Sequence, residues 1–342
     1  MRSVVRSFLL QILVCVLFSA AVLSAESKSL QIFFVDVEGG QATLIVTPSG
    51  QSLLIDTGWP GFDGRDAGRI VSVAKAAGVD RIDYVLITHF HRDHVGGVTR
   101  LAGQIKIGTF IDHGPNMEDA PDPREDFAAY EKIAAHSKRL IVKPGDQIPM
   151  KDLNVQVLTA AGERITAPLQ GAGQANPLCA SEPEADVDPT ENARSLGTLI
   201  TLGKFRFIDL GDLTKSKERD LVCPNNLIGT VDLYLTTHHG LNQSNAKVIV
   251  DALYPRVSIM NNGAHKGGSP DAWETIRNSP GLQDLWQLHY AMDSDQAHNV
   301  AEIFIANVGE KCEGKYIKVT AEPNGTFTML NSRNNYKKTY SK

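Results

Sequence analysis

The sequence predicts an α/β fold in four layers, αββα: two sheets face to face, helices outside them, and a dinuclear metal site at the sheet edge. Three observations predict it. Strand-like segments come in two runs, and each run is followed by helices. His and Asp residues recur directly after strands, where open α/β sheets place their sites. The chain has 342 residues, 42% hydrophobic and 21% charged, enough for a full-sized core.

The first run opens with Leu30 to Val37 (LQIFFVDV), read as a strand. Glu38-Gly39-Gly40 turns the chain, and Ala42 to Thr47 is a second strand. Pro48-Ser49-Gly50 is a turn, and Ser52 to Ile55 is a third strand. After a glycine-rich loop, Asp66 to Ala77 is helical. Ile70, Val71, Val73, Ala74 and Ala77 form its apolar face, and Gly78 ends it. Ile82 to Ile87 is a buried strand, followed by a short helix over Val95 to Leu101 and a strand from Ile105 to Ile111. Pro121 to Lys138 reads as a loop and then a helix, and Arg139 to Lys143 as a strand.

The second run begins with a strand at Val155 to Thr159. Ala160 to Glu191 has little pattern and much Gly, Pro, Ala and acid; a functional loop over the site is one reading of it, disorder the other. Leu196 to Leu202 and Phe205 to Leu210 form a hairpin ending at Gly211-Asp212. Val231 to Thr237 is a strand ending at His238-His239-Gly240. Ala246 to Leu253 is a helix, Arg256 to Met260 a strand, and Ser269-Pro270 starts another helix. Leu285 to Tyr290 is a strand. Tyr316 to Thr320 and Thr326 to Leu330 form a hairpin, within a C-terminal extension from about residue 295 to 342.

The chemistry concentrates in Thr88-His89-Phe90-His91-Arg92-Asp93-His94-Val95-Gly96-Gly97, immediately after the strand at 82–87. Imidazoles and a carboxylate suit a divalent transition metal. Four groups so closely spaced do not fit one ion. His89 and His91 converge on one, and Asp93 and His94 turn toward a second. Gly96 and Gly97 let the next helix start close by.

This His-x-His-x-Asp-His pattern resembles the signature of the metallo-β-lactamase-fold hydrolases. The resemblance covers about Leu30 to Tyr290 and extends to further motifs. Asp56, in Asp56-Thr57-Gly58, lies 33 residues before His89. The family's aspartate there orients a metal-binding histidine from outside. Asp212 matches the aspartate that bridges two metals, and His238 the last metal ligand. His239 then becomes a donor or proton relay, although the pair can exchange roles. Asp36-Val37-Glu38-Gly39-Gly40-Gln41-Ala42, Asn192 to Ser195 and His238-His239-Gly240 look most like the branch with the hydrolase domain of ComEC-type DNA-uptake channel proteins and related phosphodiesterases.

The resemblance implies a metal-dependent hydrolase. His89, His91, Asp93, His94, Asp212 and His238 would hold two divalent cations, zinc first and manganese second. Asp93 and His239 would handle protons, and Asp56 would orient a ligand. His113, Asn262, His265 and Lys266, on loops at strand ends, would bind substrate. The expected substrate is a phosphodiester or related small ester. The alternatives are a metal-binding protein of the same fold without turnover, and a lactonase or β-lactamase. Many family members supply one more histidine to the first metal. Here the interval offers only His113 and His136, so Asn192 or a water is expected in that place.

Arg2 and Arg6 followed by an apolar run from Phe8 to Leu23 and Ser24-Ala25 read as a cleavable secretory signal over residues 1–25, with residues 26–342 the hydrolase domain. Export to the periplasm or beyond, with no membrane span after cleavage, is the expectation. Cleavage removes two of 34 Lys+Arg and none of 39 Asp+Glu, leaving a net charge of about −7. Such a field gives no strong nucleic-acid signal and favours a small-molecule or ester substrate. Of the remaining cysteines, Cys179 is expected to pair with Cys223 and leave Cys312 free.

Overall fold

The computed structural model describes residues 29–342; the signal segment expected at 1–25 lies outside them. The first half runs β1 (Leu30–Phe34), β2 (Thr43–Val46), β3 (Ser52–Ile55), α1 (Arg65–Ala76), β4 (Arg81–Leu86), α2 (Arg92–Val95), α3 (Val98–Ala102), β5 (Lys106–Asp112), α4 (Pro121–Ala134) and β6 (Lys138–Ile141). The second runs β7 (Gln147–Ile148), β8 (Asn154–Ala160), β9 (Glu163–Arg164), β10 (Gly197–Leu202), β11 (Phe205–Asp209), α5 (Lys215–Val222), β12 (Leu233–Leu235), α6 (Lys247–Leu253), β13 (Val257–Met260), α7 (Pro270–Arg277), β14 (Asp284–His289) and β15 (Ile305–Asn307). Three strands close the chain: β16 (Ile317–Ala321), β17 (Phe327–Asn331) and β18 (Lys337–Tyr340).

Two sheets form. One has the order β18-β17-β16-β1-β2-β3-β4-β5-β6, the other β15-β14-β13-β12-β11-β10-β8-β7, with β9 on β8. Each begins as an antiparallel meander and becomes parallel, from β3 onward in the first and from β11 onward in the second. Parallel neighbours need crossovers, which α1, α3 and α4 supply in the first sheet and α5, α6 and α7 in the second. The C-terminal ends of the parallel strands then share one edge of each sheet.

Alternation along the strands makes the layers. In β1, Leu30, Ile32 and Phe34 join the cluster between the sheets, with Phe207, Leu235, Trp286 and Phe327, while Phe33 packs on the opposite face. A second cluster joins Leu44, Leu54 and Val85 to Ile70 and Ala74 of α1, Leu101 of α3 and Tyr130 of α4. A third joins Ile208, Tyr234 and Met260 to Leu221, Ile249 and Ile276 of α5, α6 and α7. Three apolar interfaces separate four layers, and the αββα expectation holds.

Most elements fall within a residue or two of their sequence reading. Gly78 stops α1 as expected: at φ +75° its N–H reaches Lys75 O, and buried Val79 reaches Ala74 O. Pro121 opens α4 directly, and the loop lies before it, at residues 113–120. Helix α5 was not expected, because Lys-Ser-Lys-Glu-Arg-Asp is polar. Glu218 inside it is buried and accepts the Asn245 and Ala246 N–H groups. The C-terminal hairpin gains β18, and all three strands extend the first sheet beside β1. The Cys179–Cys223 disulfide is present and Cys312 is free. Among the described residues no helix is long and apolar enough to cross a membrane.

Candidate metal centre

Both parallel sheet edges deliver polar residues to one place. From the first sheet come Asp56 after β3 and His89 to His94 after β4. From the second come Asp212 after β11 and His238-His239 after β12. Tight backbone packing makes this approach possible. A Cβ on Gly97 would lie 2.0 Å from Thr57 O, so α3 can start there only on glycine.

The donor atoms of Asp93, His94, Asp212 and His239 all lie within 4.8 Å of one another, and all four side chains are buried. His239 Nε2 is 3.1 Å from Asp93 Oδ2, 3.2 Å from His94 Nε2 and 3.3 Å from Asp212 Oδ1. Asp212 Oδ2 faces His94 Nε2 at 3.2 Å, His238 Nε2 at 3.3 Å and His89 Nε2 at 4.0 Å. One carboxylate therefore stands between two groups of imidazoles. The sequence reading put His238 in the ligand place and His239 beside it; the geometry puts His239 with Asp93 and His94. Both histidines have left-handed backbone, φ 54° and 55°. The chain thus turns twice after β12, and the second ring is the one that meets the first sheet.

Several of these rings have a partner on one nitrogen. His94 Nδ1 lies 2.7 Å from Asp56 Oδ2. Asp56 also accepts the Thr88 N–H at 2.8 Å and the Thr88 hydroxyl at 2.7 Å, and it sits at φ 62° to reach them. His89 Nδ1 is 3.1 Å from Thr88 Oγ1, His91 Nε2 is 2.9 Å from Glu118 Oε2, and His238 Nδ1 is 3.3 Å from Ser244 Oγ. Outer partners of this kind fix tautomer and orientation at metal sites.

The charges explain what such a cluster needs. Burial pushes Asp93 and Asp212 upward, but their neighbours outweigh it and hold both well below the carboxylate range: Lys266 and His94 for Asp93, and the surrounding imidazoles for Asp212. Burial pulls His94 down, yet Asp212, Asp93 and Asp56 hold it well above the imidazole range. Burial and the charges of His94 and His91 keep His89 well below it, and burial brings His238 to about 4. Two carboxylates thus recruit an imidazolium and the Lys266 ammonium, which pairs with Asp93. His89 Nε2 and Asp212 Oδ1 are buried without a hydrogen-bond partner. Orphaned donor atoms among Asp and His side chains fit divalent cations.

The four residues assigned to substrate divide. Lys266 reaches the cluster and also lies 4.9 Å from the centre of the Trp59 ring. The other three belong neither to the cluster nor to the lining of the adjoining cavity. His113 is buried against Phe90 with Nε2 3.1 Å from Glu191, fastening the turn at Glu191–Arg194. Asn262 is buried and donates to His289 O, tying β13 to β14. His265 is exposed and pairs with Asp293, while its neighbour Lys266 points to Asp93. His136 lies exposed in the turn after α4.

A cavity of about 490 Å³ adjoins the cluster. His238, Asn192, Thr214, Lys215 and Gln243 line it, with residues 185–188 of the long irregular segment as its outer wall. Part of that segment thus borders the site, as its functional-loop reading expects. Sequence reading missed Glu118, Ser244 and Asp209. Asp209 is buried under the site, its carboxylate held by the Gln41 amide at 2.9 and 3.1 Å, and burial together with the Asp56 charge pushes it up to about 7. Only its place two residues before Gly211 hinted at it.

Residues 35–169 match the family model of the metallo-β-lactamase superfamily. The chain is 25% identical over 196 residues to ComE operon protein 3 of Bacillus subtilis (strain 168), covering 57% of this chain and 22% of that protein. It is 23% identical over 235 residues to Recombination protein 2 of Haemophilus influenzae, covering 68% and 24%. The chain therefore spans less than a quarter of the length of these two relatives. Among solved structures, a metallo-β-lactamase fold protein from Bacillus subtilis aligns with 75% of this chain and 96% of its own, at 12% identity and a TM-score of 0.47.

Proposed function

From the metallo-β-lactamase fold that this chain has, we propose that it is a metal-dependent hydrolase of small esters, with a phosphodiester as the first choice of substrate. The observation that carries this is the buried Asp93-His94-Asp212-His239 cluster with Asp212 between two sets of imidazoles. Asp93, His94 and His239 would hold one cation, His89 and His91 the other, and Asp212 both. Zinc suits this donor set, and manganese is the second choice. Such cations supply water activation near neutral pH and polarise the scissile bond.

The chain's own residues do the rest. Asp56 and Thr88 hold His94 and His89 in orientation. His238 lines the cavity, neutral through burial, and its Nε2, 3.3 Å from Asp212, would be the nitrogen turned to a substrate oxygen. Lys266 is beside Asp93, where a positive charge meets charge developing on a non-bridging oxygen. The cavity lining holds Lys215 together with Asp186 and Asp188, a balance that favours a small ester over a long polyanion. An exported protein acting on such a molecule outside the cytoplasm accounts for the signal-like residues 1–25 and the disulfide.

The experiment compares bis(p-nitrophenyl) phosphate, nitrocefin and a simple lactone at equal concentration, with zinc or manganese added. Fastest turnover of the phosphodiester is expected. Faster turnover of nitrocefin or the lactone would move the assignment to a lactamase or lactonase. Full metal occupancy with no turnover of any of them would leave a metal-binding protein.

A further inference from the structure

The first cation position is the one the sequence leaves short of a histidine. His113 is held by Glu191 and His136 is exposed, so this position rests on His89, His91 and Asp212. Its quality then depends on how well His91 is aimed. His91 is partly exposed and stands just before α2, as its N-cap, so its own backbone does little to fix the ring. Glu118, in the loop after β5, supplies what is missing. Its Oε2 lies 2.9 Å from His91 Nε2 and accepts the Glu191 N–H at 2.9 Å. Glu118 is itself braced, since its N–H donates to Asn116 Oδ1 and its carbonyl accepts from Asn116 Nδ2. With Nε2 taken, Nδ1 is the nitrogen of His91 left to a cation. The ring sits edge-on to His89, centroids 4.7 Å apart.

We propose that Glu118 is the positioning residue of the first cation position: it holds His91 as the Nε2–H tautomer with Nδ1 as the donor, and through Glu191 it ties the end of the 160–191 segment to that position. The inference rests on the two-cation reading of the site. Thr88 at His89 and Asp56 at His94 are the same device. Glu118 differs in coming from a loop and in sharing its oxygen with the chain that borders the cavity. Direct ligation by Glu118 is the weaker reading, because the contacting oxygen is already committed to the Glu191 N–H.

Two measurements on the full chain test it. The first uses metal-free protein labelled with 15N-histidine and reads the His91 tautomer by long-range proton–nitrogen correlation, with His91→Ala for assignment. Wild type and Glu118→Gln, whose amide oxygen still accepts, are expected to show the Nε2–H form, and Glu118→Ala a mixture. The second titrates cobalt. Glu118→Ala is expected to weaken one cation equivalent by about 10–100-fold and leave the other unchanged, while Glu118→Gln stays near wild type. An unchanged His91 tautomer and two unchanged affinities in Glu118→Ala would overturn the proposal. Glu118→Gln losing a cation as fully as Glu118→Ala would overturn it too, by making Glu118 a ligand. Wild type that takes up no cation would sink the metal reading alone, since the tautomer measurement still decides what Glu118 does to His91.

Discussion

Asp56 Oδ2 and His94 Nδ1 lie 2.7 Å apart, both side chains fully buried, with the other face of the His94 ring toward Asp93, Asp212 and His239. The aspartate therefore leaves Nε2 as the nitrogen that His94 turns to the cluster. Asp56→Asn keeps an oxygen for Thr88 but removes the charge that favours the Nδ1 proton. Cation affinity is expected to fall about 10–100-fold with the fold retained. Isothermal titration with zinc and a far-ultraviolet spectrum check both parts.

His238 and His239 are neighbours in sequence with different surroundings, and substitution separates them. His239→Ala removes one member of the four-donor cluster and is expected to lower metal content by one equivalent. His238→Ala leaves that cluster intact. It is expected to keep metal content and lose about 10²–10⁴ in rate, the usual worth of a positioned proton donor. Elemental analysis beside initial rates reads the two effects independently. Loss of metal in His238→Ala with none in His239→Ala would restore the assignment made from sequence.

What the sequence showed and what it hid follow from the range of the interactions. The strand–helix rhythm and the stop at Gly78 are local, and they were legible. So was the central motif, whose residues share one turn after β4. Which of His238 and His239 stands beside Asp93 and His94 was not legible, because two successive left-handed residues set it and neither is a glycine. Glu118 reaches His91 across 27 positions and Asp209 reaches Gln41 across 168, and no pattern along the chain marks either pair. Asn262 and His265 looked available because they sit in a polar loop at a strand end. In space one is consumed by the His289 carbonyl and the other is turned to solvent.

Asp209 gives a pH signature. Its folded-state value is about 7, raised from the ordinary 3.8 of an aspartate chiefly by burial. The folded state therefore binds more protons than the unfolded state between those values, and stability from this group is lost as pH rises through them. Asp209→Asn removes the titration while keeping an oxygen for the Gly211 N–H. Metal-free wild type is expected to lose melting temperature from about pH 4 to 7 more steeply than Asp209→Asn. Parallel melting curves for the two proteins across that range would show that the carboxyl is not held protonated.

The disulfide allows a separation of stability from chemistry. Cys179 and Cys223 are 44 positions apart and fasten the segment before the cavity wall to the end of α5. Closing a loop of that length restricts the unfolded chain, and native bridges typically contribute about 2–4 kcal/mol in that way. Neither cysteine belongs to the metal cluster or lines the 490 Å³ cavity. The Cys179→Ala/Cys223→Ala variant is expected to lose about 2–4 kcal/mol of unfolding free energy, with cation stoichiometry unchanged. Denaturant unfolding under two-state analysis measures the first and elemental analysis the second. If cations were lost from the folded variant, the 160–191 segment would be holding the metal centre itself, through Glu191 and Glu118, and not merely bordering it.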